Sequence, residues 1–368
     1  MKIVYILEQF YLHGGGEKVT CAKVNWLSKN GFDVTLISNK QNNKKHIYPL
    51  NKNIKFIDLG VNYKKGTSYF HPKHLTLVPK HIIKLYKILS KIKPDIVVTL
   101  SLQFDYYFLP FMTKAKTIRE FHSSRYYYEI NRSKTKSVFK KFKYKIADFI
   151  EQKFTYNVVL TKDELKHYRS KNVIIIPNFT VDTTSSIASL DSKIVIAAGR
   201  IAPVKNFEAL LTIWEHISTR KPDWKLAIYG DGEKEYKKKL LKKVNDLKIE
   251  TSCHFYGAVS NLSNKMNNAA IYAMTSHTEC FPMVLLEAQQ VGLPIVSFDC
   301  PYGPRNIIKN KEDGFLVENK NNDNFVKSLE KLMMDVNLRK KMGEKALKNS
   351  AQKNIEVIMK KWVTLFNE

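Results

Sequence analysis

KIVIAAGRIAPVKNFEALLTIWEHI, residues 193–217, reads as a strand, a loop and a helix in direct succession. The run 193–199 is apolar without alternation, which suits a strand covered on both faces. Asn206 is placed to cap a helix that sets Phe207, Leu210, Leu211, Trp214 and Ile217 at helical spacing. The order then repeats. KLAIYGDGE (225–233) is a strand running into a glycine turn, and Cys253–Tyr256, Ala269–Met274 and Ile295–Phe298 are further short apolar runs. Strands alternating with helices predict a parallel sheet with helices on both faces.

Upstream lies VDTTSSIASLDS (181–192), rich in Ser, Thr and Asp, the best domain boundary in the chain. Ahead of it the same alternation appears once before. Residues 1–7 form a strand, a helix runs from about Glu17 to Lys29 and stops at Gly31, and 33–38 is the next strand. Apolar runs at 96–100, 117–121 and 158–160 follow, with a helix over Leu77–Ile92. The expected fold is therefore α/β, with two Rossmann-like, doubly wound domains, 1–180 and 193–350, facing across a cleft at the carboxyl ends of their sheets. A length of 368 residues leaves room for two such cores. A last helix, from about Lys353 to Phe366 within 351–368, is free to cross back to the first domain.

Composition narrows the function classes. With 44% apolar residues the chain supports real cores. No apolar run approaches the roughly 20 residues that cross a bilayer. MKIVYIL reads as a first strand, too short for a leader. Cys21, Cys253, Cys280 and Cys300 show neither paired spacing nor a metal-ligand pattern, which fits a reducing, cytoplasmic setting. The net charge is +27 and unevenly spread: residues 1–178 hold 33 Lys+Arg against 12 Asp+Glu. A basic first half points to an anionic partner, whether phospholipid, pyrophosphate or nucleic acid. The other reading is a lysine-rich proteome whose surface charge has no specific meaning.

ECFPMVLLE (279–287) spaces Glu279 and Glu287 across a loop-to-helix junction. Pro282 suits the first turn of a helix. The N–H groups of Met283, Val284 and Leu285 then face out of a helix N-terminus, the usual home of a phosphate. Glu287 lies one turn further in and leans back toward the same ligand, where it would accept bonds from ribose hydroxyls. The other reading makes it a partner of the helix dipole. GRIAPVK (199–205) adds Arg200 and Lys205, two cations able to bracket a diphosphate. GGGEKV (14–19), with Gly15 and Gly16, is a glycine loop between strand and helix that admits close backbone approach. A nicotinamide site is its rival reading. Against that, Val19 stands where a third glycine or alanine belongs, and the second strand ends in Ser38-Asn39-Lys40 with no ribose-binding acid.

The E-x7-E pattern with Phe-Pro inside, preceded by R-x4-K about 75 residues upstream, resembles retaining glycosyltransferases of family 4, with the GT-B fold. The resemblance covers nearly the whole chain. It is strong over 193–317, including PYGPRNIIKNKEDGFLV, and loose in the first half. It implies that Arg200 and Lys205 neutralise the departing nucleotide diphosphate and that Glu279 sits near the sugar without acting as nucleophile. It implies further that Phe281, Pro282 and Met283 meet sugar hydroxyls through backbone amides, with Val284 and Leu285 completing the donor site. Tyr256 and Val259 would lie by the base, and His122, in REFHSS, would contact the sugar near the reaction centre. Cys280 replaces the glycine more usual after the first glutamate. No D-x-D occurs, so no metal cofactor is expected. The expected reaction is retaining transfer of a hexosyl or N-acetylhexosaminyl group from a UDP-sugar. A lipid-linked or surface-glycan acceptor (lipopolysaccharide, O-antigen, capsule or an undecaprenyl-diphosphate oligosaccharide) would receive it.

SKTKSVFKKFKYKIADFIEQ (133–152) reads as one basic amphipathic helix. Lys134, Lys136, Lys140, Lys141, Lys143 and Lys145 accompany Val138, Phe139, Phe142, Ile146, Phe149 and Ile150 at helical spacing. Such a helix suits an anionic membrane surface, which places the protein on the inner face of the cytoplasmic membrane. An ordinary domain helix with a solvated lysine face is the alternative. Two other functions stay open: a sugar-nucleotide epimerase or soluble glycan synthase of the same fold, and a basic nucleic-acid- or membrane-binding protein. The second has no use for the paired cations and glutamates, so no nucleic-acid partner is expected.

Overall fold

The computed structural model describes residues 1–12, 14–63, 69, 71–74, 76–100, 104–180 and 186–368. The chain divides into two units: Met1–Pro177 with Ile358–Glu368, and Asn178–Val357. The first unit is built on seven strands: β1 (Lys2–Leu7), β2 (Asp33–Ser38), β3 (Lys55–Asp58), β4 (Ile96–Leu100), β5 (Lys116–Glu120), β6 (Tyr156–Val159) and β7 (Val173–Ile175). They pair in the order β3-β2-β1-β4-β5-β6-β7, every pair parallel. Among the described residues its helices are α1 (Gly15–Lys29), α2 (Leu77–Ile92), α3 (Leu109–Met112), α4 (Tyr126–Lys134) and α5 (Val138–Glu151). Val4, Ile6, Ile37 and Val97 from the strands pack with Leu85 and Leu89 of α2 and Ile150 of α5. The largely apolar central strands are buried because helices cover both faces.

The second unit repeats the plan with β8 (Ile194–Ala198), β9 (Lys225–Tyr229), β10 (Cys253–Gly257), β11 (Ile271–Met274), β12 (Ile295–Phe298) and β13 (Gly314–Val317). Their order is β10-β9-β8-β11-β12-β13, again all parallel. The helices are α6 (Phe207–Arg220), α7 (Lys234–Asp246), α8 (Leu262–Asn267), α9 (Met283–Gln290), α10 (Asn322–Met334) and α11 (Val336–Ala351). Phe207, Leu210, Leu211, Trp214 and Ile217 of α6 are all in this unit's core. Finally α12 (Ile355–Asn367) runs into the first unit, to which residues 358–368 belong.

Four expectations need correction. Helix α1 begins at Gly15 rather than Glu17, so Gly15 and Gly16 form its first turn. Asn206 stands at the N-cap of α6, but in a left-handed conformation with no side-chain capping bond. The basic stretch 133–152 is two helices, because the chain leaves α4 after Lys134 and Ser137 caps α5 by accepting the Lys140 N–H at 3.4 Å. The boundary segment 181–192 falls partly outside the described residues. Its remainder is fastened to the second unit: Ala188 N–H donates to Val291 O at 2.9 Å, and Leu190 is buried with its carbonyl accepting from Arg339 Nε at 2.9 Å.

Candidate active site

Hydrogen bonding between neighbouring strands of the second unit continues past their carboxyl ends. Gly199 N–H donates to Tyr229 O at 3.0 Å, and Gly230 N–H to Gly257 O at 2.8 Å. A Cβ at Gly230 would stand 1.9 Å from Gly199 O, and its φ of +142° is one that side chains rarely adopt. From Gly199 the chain makes one tight turn, Pro203–Lys205, before α6. This turn aims Lys205 back across Gly199, where a Cβ would meet its Cε at 3.4 Å.

Lys205 Nζ pairs with Glu279 Oε1 at 2.5 Å, and Ser276 Oγ donates to the same oxygen at 2.7 Å. The two side chains keep 21% and 11% of their exposure. That is enough burial for a pair to be costly to break. Backbone and hydroxyl bonds fix the segment that carries Glu279. Thr275 Oγ1 donates to Asn206 O (2.9 Å), His277 N–H to Val204 O (2.8 Å), Glu279 N–H to Pro301 O (2.8 Å) and Tyr302 N–H to Glu279 O (2.7 Å). A Cβ at Gly303 would lie 2.6 Å from Pro282 Cδ, so the 301–303 loop packs directly against the glutamate segment. The buried Tyr272 hydroxyl donates to Ala198 O at 3.0 Å and joins the ends of β11 and β8. Burial raises its pKa, and the charges of Glu287 and Glu279 raise it further, so both glutamates act on one spot.

Helix α9 starts after Pro282, with no side-chain cap. Of the three amides expected to be open, Leu285 N–H is taken by Pro282 O at 3.0 Å. Met283 and Val284 therefore carry the N-terminal positive end of the helix. Pro282 has no N–H, so it offers a sugar no backbone donor. Phe281 and Leu285 are buried and Glu287 is half-buried. Arg200, directly after Gly199, is exposed. Tyr256, 55% exposed, stacks on Tyr229 with centroids 5.0 Å apart and planes 16° apart, making a flat aromatic ledge at the ends of β9 and β10. Val259 follows it, half-buried.

In the first unit, His122 comes two residues after the end of β5. Along this strand the side chains alternate, and the two faces carry different ion systems. On one, Lys23 Nζ pairs with Glu120 Oε2 at 2.7 Å, and His122 Nε2 lies 3.1 Å from Glu120 Oε1. On the other, Arg119 reaches Glu151 Oε1 at 2.8 Å, and Arg125 also pairs with Glu151. The first turn of α1 borders this histidine, since a Cβ on Gly16 would stand 4.0 Å from His122 Cγ. Glu17 fills the space beside Gly14, where a Cβ would collide with its carboxylate, and accepts from Gln9 Nε2 at 3.1 Å.

The apolar side of α5 faces outward. Val138 is 80% exposed, Phe139 66%, Phe142 59% and Phe149 53%, and Phe111 of α3 stacks on Phe149 to extend the patch. Lys134, Lys136, Lys140, Lys141, Lys143 and Lys145 are all exposed around it. Among the described residues no helix is long and apolar enough to cross a membrane, and no group of metal-ligating side chains is gathered.

The structure thus joins Lys205 to Glu279, brings the charge of Glu287 to bear on the same Tyr272, and sets Gly16 beside His122. Sequence reasoning missed Ser276, Tyr272, Glu120 and Lys23. Glu120 carries a signal, since it lies two residues before His122 on an alternating strand. Lys23 carries none.

Two family descriptions match the chain in tandem. "Glycosyltransferase Family 4" covers residues 13–184 and "Glycosyl transferases group 1" covers 182–349. An uncharacterised glycosyltransferase of Haemophilus influenzae is 29% identical over 98% of both chains. The amylovoran biosynthesis glycosyltransferase AmsD of Erwinia amylovora is 29% identical over 100% of this chain and 99% of its own. Among solved structures, a mutant of Staphylococcus aureus TarM, in complex with fondaparinux, α-GlcNAc-glycerol and UDP, superposes with a TM-score of 0.76. It is 17% identical, and the match covers 100% of both chains.

Proposed function

The chain belongs to the glycosyltransferases of family 4, with the GT-B fold, and on that premise we propose that it transfers a hexosyl or N-acetylhexosaminyl group from a UDP-sugar to a lipid-linked acceptor with retention. Its place in surface-glycan biosynthesis follows its full-length similarity to the amylovoran enzyme. The choice of UDP rests on the nucleotide held by the TarM structure. The observation that carries the reading is the Lys205–Glu279 pair, fixed at the strand ends.

In this scheme the donor diphosphate lies against Arg200, Lys205 and the Met283 and Val284 amides. These groups stabilise charge that develops as the anomeric carbon–oxygen bond breaks. Glu279 holds Lys205 in place, and Glu287 accepts bonds from the ribose hydroxyls. Tyr256 stacks on the base and His122 contacts the sugar. The acceptor oxygen attacks from the face that the diphosphate leaves, and its proton passes to the departing phosphate oxygen. Protein cations supply the positive charge, so no metal enters the scheme. Helix α5 lies on an anionic membrane, where a lipid-linked acceptor resides.

Thermal melting with UDP-, GDP- and ADP-sugars tests the donor site. At ligand concentrations of about 100 Kd, binding adds about 2.7 kcal/mol, a shift of several degrees. UDP-sugars should raise the melting temperature of the wild type and leave Arg200→Ala and Glu287→Ala unmoved. No shift with any nucleotide sugar would overturn the reading.

A further inference from the structure

The buried charges behind His122 have no part in the scheme above, yet they are arranged in a line. Lys23 is fully buried, and its Nζ lies 3.3 Å from the centroid of the Trp362 ring. That ring comes from α12, 339 positions along the chain, and covers the ammonium as a cation–π lid. The ammonium pairs with one oxygen of Glu120 at 2.7 Å, and the other oxygen lies 3.1 Å from His122 Nε2, in ion-pair range but outside hydrogen-bond geometry. Glu120 is 1% exposed, so bulk solvent does not reach its carboxylate. Burial alone would raise its carboxyl, but Lys23 and His122 outweigh it and hold it down at about 2. It is therefore ionised at neutral pH, and a carboxylate oxygen 3.1 Å from a ring nitrogen repels a bare lone pair there and favours the tautomer with the proton on that nitrogen, which a small turn of the ring brings into line.

We propose that Glu120 and Lys23 are positioning residues for His122: the carboxylate fixes the ring with its proton on Nε2 and Nδ1 bare, and Lys23, sealed by Trp362, fixes the carboxylate. A bare Nδ1 is an acceptor, suited to a sugar hydroxyl. Had the ring been left to rotate, neither its orientation nor the nitrogen on offer would be set. The role in transfer rests on the assignment of His122 to the sugar, whereas the tautomer does not.

The test has an arm that needs no activity. In the full chain labelled with 15N-histidine, the His122 ring signals are those missing from His122→Ala. At a pH above which they no longer change, they should report an Nε2–H tautomer. In Glu120→Gln they should become an average of both tautomers. An Nδ1–H tautomer at His122 in the wild type overturns the proposal even if Glu120→Gln does not fold. The second arm follows the slow release of UDP from UDP-sugar without acceptor, for His122→Ala, Glu120→Gln and the double variant. Loss of placement should lower kcat about 100-fold in Glu120→Gln with the donor KM little changed. On the His122→Ala background the same change should add less than about twofold. Additive losses mean a merely structural pair and overturn the proposal. A fixed Nε2–H tautomer with turnover indifferent to His122→Ala instead overturns the sugar-facing role of His122, and with it the role of the pair in transfer.

Discussion

Replacing Phe139 and Phe142 together by serine should detach the protein from anionic vesicles without unfolding it. Both rings are about two-thirds exposed, at 66% and 59%, so little of the core depends on them. Full burial of a phenylalanine side chain is worth about 1.5–3 kcal/mol, and scaling by exposure leaves about 1–2 kcal/mol for each ring. The pair then contributes about 3 kcal/mol, or about 100-fold in partition coefficient. Changing Lys140, Lys141, Lys143 and Lys145 to glutamine should act separately. At about 1 kcal/mol for each lysine near an anionic surface, that variant loses about 1,000-fold. Co-sedimentation with phosphatidylcholine vesicles, with and without phosphatidylglycerol, distinguishes the two terms. The lysine variant should lose only the phosphatidylglycerol-dependent part, and added salt should mimic it in the wild type. Equal binding of the phenylalanine variant and the wild type would refute insertion. Equal binding of the wild type to neutral and anionic vesicles would refute the role of the lysines.

Two further outcomes follow from buried features. Glu120 has its carboxyl held near 2 against a usual 4.5, so the stability it contributes is complete above about pH 4.5 and is lost as the pH falls toward 2. The shift corresponds to at most about 3 kcal/mol, and urea melts followed by tryptophan fluorescence should show Glu120→Gln with a flatter dependence over that window. Identical slopes would show that the carboxylate is not held as described. Gly230→Ala should destabilise the second unit by about 3 kcal/mol, since its Cβ meets a backbone oxygen at 1.9 Å. Calorimetry should show a melting temperature about 10 °C lower, and an unchanged value would mean that β8 and β9 separate at little cost.

What the sequence disclosed was whatever depends on near neighbours. The central strands are apolar runs because both their faces are covered, so Ile96–Leu100 and Ile295–Phe298 stood out at once. Arg200, Lys205 and Glu279 stood out because they follow apolar strand runs, and Glu287 because it falls within the helix that starts after Pro282. The break between α4 and α5 was legible in principle. Ser137 is a natural N-cap, but the lysine and phenylalanine spacing ran smoothly across it and hid the signal. Lys23 and Trp362 gave no local sign. A lysine on an amphipathic helix reads as solvated, and only the strand that brings Glu120 against it and the distant helix that covers it make burial tolerable.

That distant cover has a consequence for synthesis. The ribosome makes Lys23 early and Trp362 339 residues later, with the whole second unit between them. At about 5–20 residues per second, roughly 17–70 s pass in which the first sheet exists without its last helix. Through that interval the ammonium beneath α1 has one face open to water, and the first unit to be translated is the last to close. The second unit, contiguous from Asn178 to Val357, has no such wait and completes its core as soon as its own residues emerge.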